Sequence, residues 1–204
     1  MHRAPRWLRW QSIALVHQLN EHVLELLADV AAEGGGADLP FVSDNRDLWI
    51  TLGPEARGRM AHLPFAILDL QFANEAWWSD ANTSQVTGPL KTAFSTGLSP
   101  ATSERLAQEV LMFAWQMARS DRIAAGILFG MRPSVTATIS NLTPGQIRAV
   151  ASSGCGNLDV RWADDGRFWR ELLLTTQAKD DEAIAALHLH QKLQLLGSLI
   201  YLQP

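Results

Sequence analysis

Two long segments of the chain carry apolar residues at alternating steps of three and four positions, and this spacing constrains the fold more than any other feature. The pattern consists of Val16, Leu19, Val23, Leu26 and Val30 in residues 7–33, and of Leu106, Val110, Phe113 and Met117 in residues 102–125. Such steps place side chains on one face of an α-helix. We therefore expect a mainly α fold whose long amphipathic helices form a dimer core or dock within one chain.

Shorter elements are expected between these helices. The segment DLWITL combines β-branched and aromatic residues and predicts a short strand near 47–52. Pro64 suits the first position of a helix, where its missing amide hydrogen costs nothing, and this helix is expected to reach Trp78.

The turn-rich residues 79–101 mark the predicted domain boundary. Residues 1–100 are interpreted as an N-terminal helical extension, and residues 101–204 as a second helical domain. A chain without the extension is expected to remain a soluble dimer. The sequence shows no convincing internal repeat.

Two short helices joined by a tight turn are predicted in the second domain. The first spans 133–141 and begins with a proline. The second starts at a capping box, in which the Thr143 hydroxyl caps the helix and the Gln146 side chain returns to the Thr143 amide. Gly154 is expected to end it in the left-handed conformation. The spacing of Gly126, Gly130 and Ile139 partly matches the helix-turn-helix motif, so a helix-turn-helix-like pair is expected.

Further along, the pattern predicts an extended piece at 158–162 and a helix at 167–174 that is capped by Asp164 or Asp165. A final amphipathic helix is expected at 183–202.

Charge limits the partners that this chain can bind alone. The 204 residues have a net charge of −4, and all of it lies in residues 1–101, where 7 Lys and Arg face 11 Asp and Glu. A protein that grips nucleic acid unaided is usually basic, so a local arginine patch or a basic partner would have to contact phosphates. No apolar run approaches the roughly 20 residues that span a bilayer, and the first residues make a poor secretory signal. We expect a soluble, cytoplasmic protein without membrane contact.

No pattern in the sequence predicts an enzyme, a metal site or a cofactor. The pairs His17 and His22, and His188 and His190, have spacings that do not place both rings on one helix face. Phosphate-binding, dinucleotide-binding and nucleophile-elbow motifs are missing from the sequence. Cys155 is the single cysteine, so a disulfide within the chain is impossible, while a bridge between chains stays open.

Five elements follow one another from Thr102 to Ser198 in an order that is typical of one protein family. They are ERLAQEVLMFAWQMARSD, RIAAGILFGM, ISNLTPGQIRAVASSG, LDVRW and the last amphipathic helix. This half of the chain resembles the flagellar master transcriptional regulator subunit FlhD. Positions that match the family are Asp121, Gly130, Gln146 and Arg161. The chain departs from the family at Ile127-Leu128, where a Phe-Arg pair is usual, and at Leu158, where the inter-subunit cysteine is usual.

The resemblance implies a helical homodimer, or a higher homo-oligomer, that joins a C-type, zinc-binding regulator subunit and activates promoters of the bacterial flagellum. Under this hypothesis the phosphate contacts come from four candidate residues, which are Arg119, Arg122, Arg132 and Arg148. The alternative is a protein-interaction module or anti-activator on the same scaffold that does not contact DNA. The loss of the family arginine at Leu128 and the acidic first half favour that alternative.

Overall fold

The computed structural model describes residues 10–82 and 91–178, and within them the fold is mainly helical, as predicted. The α-helices are α1 (Trp10–Ala32), α2 (Pro40–Ser43), α3 (Arg46–Ile50), α4 (Pro54–Ala61), α5 (Glu75–Asn82), α6 (Ala93–Thr96), α7 (Pro100–Ser120), α8 (Arg122–Phe129), α9 (Pro133–Asn141), α10 (Pro144–Gly154) and α11 (Gly166–Gln177). Cys155–Asn157 forms a 3-10 turn, and the short strands β1 (Leu68–Asp69) and β2 (Asp159–Val160) pair antiparallel. The helix predicted at 183–202 lies outside the described residues.

Both predicted apolar seams are helical, and their ends follow from local capping. The Ser99 hydroxyl accepts the Thr102 amide hydrogen at 3.1 Å, which starts α7. Asp121 ends that helix and caps the next one, because its Oδ1 accepts the Ala124 amide hydrogen at 3.0 Å. Gly130 then ends α8 in the left-handed conformation, with φ at 69°. The axes of α8 and α9 consequently differ by 114°.

The predicted helix pair is formed by α9 and α10. Thr143 Oγ1 accepts the Gln146 amide hydrogen at 3.3 Å, and Gln146 Oε1 accepts the Thr143 amide hydrogen at 2.9 Å, so the capping box is confirmed. The expectation of a left-handed Gly154 is wrong, because its φ is −96°. The helix runs directly into the 3-10 turn and needs no left-handed end.

The prediction of a strand near 47–52 is wrong, because these residues belong to α3 and the turn after it. Trp49 is the physical reason. Its indole is completely buried, its Nε1 donates to the Phe41 carbonyl at 3.2 Å, and its ring lies against those of Phe41 and Trp169. Tertiary packing of one large side chain thus outweighs the strand preference of its neighbours.

The helix predicted from Pro64 onward begins only at Glu75, and the residues before it form bends, the short strand β1 and a turn. Asn20 of α1 causes the difference. Its side-chain amide donates to the Phe65 carbonyl at 2.8 Å, and its Oδ1 accepts the Ile67 amide hydrogen at 2.9 Å. These buried bonds satisfy backbone groups that a helix would otherwise have paired.

Side chains from both sides of the predicted boundary build one hydrophobic core. The two long helices α1 and α7 pack against each other, and α11 packs against α2, α3 and α4 of the first half. The antiparallel pair of β1 and β2 joins the halves by main-chain hydrogen bonds. Residues 10–82 are therefore an integral part of the fold.

The two halves contain the same succession of elements, although the sequence analysis predicts no repeat. The elements α1, α3, α4, β1 and α5 correspond in order to α7, α9, α10, β2 and α11, whereas α2 and α8 differ in length and position. Buried residues recur 90 positions apart, namely Trp49 and Ile139, Leu52 and Leu142, Met60 and Val150, Ala61 and Ala151, and Leu68 and Leu158. The expectation of a chain without an internal repeat is wrong.

The turns that follow the two strands are also alike. Gln71 and Trp162 have positive φ angles, of 54° and 56°, which non-glycine residues seldom adopt. Three residues later, Asn74 and Asp165 each accept an amide hydrogen and cap the next helix, at distances of 3.1 and 3.0 Å. Two segments with the same unusual backbone at matching positions indicate a true structural repeat.

One residue is inserted in the second repeat. The strand residues Asp69 and Asp159 are 90 positions apart, whereas the buried Trp78 and Trp169 of the following helices are 91 apart. The extra residue lies directly after β2, at Arg161.

The two strands meet about a local twofold axis, which we call the pseudo-twofold axis. Asp69 pairs with Asp159, which is its own counterpart, and Leu68 pairs with Val160. Two equivalent antiparallel strands that meet in this register are related by a twofold rotation through the self-paired position. One chain therefore contains the arrangement that two subunits form in an isologous dimer.

Candidate nucleic-acid interface and charged cavity

Two of the four candidate arginines, Arg119 and Arg122, meet at the turn between α9 and α10. Both are exposed. Trp115 connects them to this turn, because its Nε1 donates to the Leu142 carbonyl at 2.9 Å and its ring centre lies 4.8 Å from the guanidinium carbon of Arg119. Arg122 Nη2 lies 3.4 Å from the hydroxyl of Ser140, at the end of α9.

The third candidate, Arg148, lies on the exposed side of α10. We call this side the α10 face; its residues are Gln146, Arg148, Ala149, Ser152 and Ser153. The opposite side of the helix is buried in the core through Ile147, Val150 and Ala151. Small and polar side chains thus cover the part of α10 that another molecule can approach.

The fourth candidate, Arg132, is not part of this surface. It lies at the other end of α9 from Ser140, about 12 Å away along the helix at 1.5 Å per residue. Its amide donates to the Phe72 carbonyl at 3.3 Å, and its half-buried side chain lines a depression that includes Asp69 and Glu75. The Arg132 Nε atom is buried and has no hydrogen-bond partner within the described part of the chain.

The helices α2 to α4 and the helices α8 to α10 differ in charge. Residues 40–61, which comprise α2 to α4, contain three arginines and three acidic residues. Residues 122–154, which comprise α8 to α10, contain three arginines and no acidic residue. The formal charges are thus 0 and +3 in a chain of net charge −4. Only the second set has the positive character that phosphate contact requires.

Three other residues named from the sequence have local structural contacts. Asp121 caps α8, and the Gln146 side-chain oxygen is held by Thr143 as part of the capping box. Cys155 is a free, half-buried thiol that donates to the Ser152 carbonyl at 3.2 Å.

Arg161 is enclosed between aromatic rings. Its guanidinium carbon lies 4.5 Å from the centre of the Trp162 ring and 5.6 Å from that of Phe65. Its Nη1 donates a long hydrogen bond of 3.4 Å to the Ala66 carbonyl. Burial lowers the pKa of Arg161 to about 10, against the influence of a nearby carboxylate, so the side chain remains charged at neutral pH.

Gly130 makes room for this guanidinium. A Cβ atom at this position would lie 2.8 Å from Arg161 Nη2 and 3.1 Å from its central carbon. The left-handed φ of 69° also favours glycine. The resemblance matches both residues, and the structure brings them into contact.

Asp69 and Asp159 complete the group of charges. Burial raises the pKa of Asp69, although the amide of Phe72 and the charge of Arg161 act in the opposite direction. Burial also raises the pKa of Asp159, and repulsion from Asp69 and Asp164 adds to this increase. Two mutually repelling carboxylates therefore lie on the pseudo-twofold axis beside one guanidinium.

A cavity of about 360 Å³ opens next to these charges; its walls include Asp69, Phe129, Gly130, Asp159, Arg161 and Trp162. An adjoining depression of about 460 Å³ shares Asp69 and Ala73 with it. Within residues 10–82 and 91–178, no group of three or more His, Cys, Asp or Glu is arranged to hold a metal ion.

Sequence analysis does not single out Asp69, but a signal for it exists. The segment LDL at 68–70 and the segment LDV at 158–160 share their pattern at a separation of 90 residues, before the inserted residue. The proline that begins α4 is likewise 90 residues before the proline that begins α10. A comparison of the two halves at this one separation would have found the repeat.

No protein-family model, curated protein or solved structure matches this chain. In the described part of the chain, no single helix is both long and apolar enough to cross a bilayer.

Proposed function

We propose that the protein is a subunit of a transcriptional regulator that contacts promoter DNA through the α10 face and the arginines beside it. The observation that carries this proposal is the exposure of Arg119, Arg122 and Arg148 on a surface whose helices α8 to α10 contain no acidic residue, in a chain that is acidic as a whole. Duplex DNA has a high density of negative charge, so the strength of its contact with a protein depends on the local charge of the surface that it meets.

The shape of the surface supports the same proposal. In a helix-turn-helix, the second helix enters the major groove by its N-terminal residues while neighbouring elements contact the backbone. Here α10 would be that second helix, with Ala149 and Ser152 small enough for close approach. Arg119 and Arg122 flank its first turn and would contact phosphates, which position the protein without reading sequence.

The small number of these arginines agrees with DNA binding together with a partner subunit. Each phosphate that a protein neutralises contributes a separate share of the affinity, and three or four arginines give weak binding at physiological salt. The resemblance supplies a candidate, the C-type, zinc-binding regulator subunit, with which the chain would act as an activator. Affinity capture of the tagged chain from its native lysate should then recover this subunit in stoichiometric amount.

Fluorescence anisotropy with a labelled 24-base-pair duplex of mixed sequence tests the DNA contact. The Arg122→Glu/Arg148→Glu variant should bind about tenfold more weakly, and the slope of log affinity against log salt should fall by about two. The control is Lys91→Glu/Arg167→Glu, which changes the net charge equally at two exposed residues outside α8 to α10. Equal losses in both variants would refute a specific contact surface.

A second function, that of a protein-interaction module without DNA contact, is favoured by Ile123. This residue is 73% exposed and lies next to Arg122 at the start of α8. A protein partner that packed against this side chain would remove its apolar surface from water and so gain binding free energy. Under this alternative, Ile123→Ser abolishes partner capture, and the wild type does not bind the duplex with or without that partner.

A further inference from the structure

We infer that one chain works as a monomer in which the two repeats take the place of two subunits. We further infer that this chain has one DNA-contact face, whereas a symmetric dimer has two. The first part rests on the fold alone. The second part rests on the proposed function, because it concerns the α10 face.

The contacts that would join two subunits are made within the chain. The last helix of each repeat crosses to the other repeat, so that α11 packs against α3 and α4 while α5 packs against α9. The rings of Phe41 and Trp49 in the first repeat meet Trp169 of the second, and Phe72 of the first meets Phe129 of the second. With the strand pair between them, the repeats bury the surfaces that an isologous dimer would share.

The helix equivalent to α10 does not present a comparable face. On α4, Arg59 Nη2 donates to the Thr176 carbonyl of α11 at 2.9 Å, and Arg57 Nη1 turns back to the Leu52 carbonyl at 2.8 Å. Both arginines are half-buried, whereas Arg148 on α10 is exposed. Both arginines of α4 thus make hydrogen bonds within the fold, whereas Arg148 of α10 can contact another molecule.

The first turn of each helix shows the same difference in charge. Glu55 is exposed at the start of α4, and the residue 90 positions later, at the start of α10, is Gly145. A carboxylate at the end of the helix that enters a groove would repel the phosphates on either side. Glu55 Oε1 also lies 3.5 Å from Arg59 Nη1, so in the first repeat a carboxylate competes with phosphate for this arginine.

The consequence concerns the DNA target. A symmetric helix-turn-helix dimer reads two half-sites about 34–36 Å apart, and its operator mirrors the protein symmetry. A chain with one usable face contacts about one half-site, so its target has no palindromic requirement.

The experiment combines the mass in solution with a matched pair of variants. Sedimentation equilibrium of the full chain should give the mass of one chain. The variants are Arg148→Glu on α10 and Arg57→Glu on α4, which change the net charge equally, and circular dichroism verifies that each is folded. Binding is measured by anisotropy with labelled mixed-sequence duplexes of 12 and 24 base pairs.

We expect Arg148→Glu to lose about fivefold in affinity and Arg57→Glu to lose less than about twofold. The wild type should bind the 12-base-pair duplex within about threefold of the longer one, because one face needs about one helical turn of DNA.

Each other outcome has a defined meaning. A mass of two chains would overturn the monomer. Equal losses in the two variants, or more than about tenfold tighter binding of the longer duplex, would overturn the single face and leave the DNA-binding proposal intact. Absence of binding by the wild type, both alone and with the captured partner, would refute the proposed function and the single face together, while the measured mass would still decide the monomer.

Discussion

Asp69 and Asp159 occupy the same position in two repeats and lie directly opposite each other in the antiparallel pair of β1 and β2. Like charges at directly opposed positions destabilise a sheet. Arg161, the inserted residue of the second repeat, offers a charge of opposite sign beside both carboxylates. The two repeats therefore differ in charge next to the centre of pseudo-symmetry.

Replacing Asp69 by asparagine should stabilise the protein at pH 7. The amide keeps an oxygen for the Phe72 amide hydrogen and removes the repulsion from Asp159. We expect the free energy of unfolding to rise by roughly 0.5–1 kcal/mol, the usual size of a cross-strand pair effect. Urea unfolding at pH 7 measures it. The control Asp164→Asn, at an exposed position, should change stability less.

We expect the stability difference between the wild type and this variant to depend on pH. Because the pKa of Asp69 is raised in the folded chain, its contribution to stability is complete below the unfolded pKa of about 3.9 and is lost as the pH rises through the folded pKa. The difference between wild type and Asp69→Asn should therefore close as the pH falls from 7 to about 4. A variant that is less stable than wild type at pH 7 would show instead that the Asp69 carboxylate stabilises the fold through Arg161.

Replacing Gly130 by alanine should destabilise the protein by about 2 kcal/mol or more. An L-residue in the left-handed conformation costs about 1–2 kcal/mol, and the new Cβ would crowd the Arg161 guanidinium at 2.8 Å. Thermal unfolding should show a melting temperature lower by roughly 5 °C. Gly58→Ala is the matched control, because a Cβ there meets no atom within 4 Å and alanine suits a helix. It should raise the melting temperature, and a similar loss in both variants would count against the close packing at Gly130.

Local signals explain why much of the fold is predictable from sequence. The Thr143 capping box, the Asp121 cap and the Asp165 cap each depend on residues three positions apart. Their side chains satisfy helix amides wherever the rest of the chain lies, so the starts of α8, α10 and α11 can be read from the sequence. The apolar seams of α1 and α7 are local in the same sense.

Two of the failed predictions depend on contacts with distant parts of the chain. Trp49 is helical because Phe41 and Trp169 enclose it, and the residues after Pro64 are not helical because Asn20, 45 positions before Phe65, binds their backbone. Neither contact produces a periodic residue pattern in the segment whose structure it decides.

The candidate site shows the same limit. Arg119, Arg122 and Arg148 are exposed, as a DNA contact requires. Arg132 lies instead in the depression beside Asp69 and Glu75, and its position there depends on a contact with Phe72. The direction of a side chain near a helix end is decided by what packs against that end.

The two equivalent tryptophans should respond differently to the same substitution. Trp169 Nε1 donates to the Trp162 carbonyl at 3.0 Å, whereas the buried Trp78 Nε1 has no partner in the described residues. Both variants lose indole volume, but only Trp169→Phe loses a hydrogen bond, and Trp78→Phe removes an unsatisfied donor. Urea unfolding should show Trp169→Phe to be less stable than Trp78→Phe by about 1–2 kcal/mol. Equal values would indicate that the Trp78 indole is satisfied in solution, for example by water.

The repeat also predicts how a half of the chain behaves alone. Residues 91–204 should form a homodimer, because the β2 strand of one copy can pair with that of another in the register that Asp69 and Asp159 adopt in the full chain. In such a dimer α11 would cover α9 and α10 of the other copy, as it covers α3 and α4 here. This agrees with the sequence-based expectation that a chain without residues 1–100 is a soluble dimer, and it adds the physical reason.

The dependence of the melting temperature on protein concentration distinguishes a dimeric fragment 91–204 from a monomeric one. A fragment that folds only as a dimer has a melting temperature that rises with concentration, because association is linked to folding, whereas a self-contained monomer has a constant one. We expect the melting temperature of 91–204 to rise by several degrees over a hundredfold range of concentration and that of the full chain to stay constant. Light scattering should give two copies of the fragment. A folded monomeric fragment would show that the first repeat is dispensable, and aggregation would show that Arg161 and the other differences between the repeats no longer allow one to replace the other.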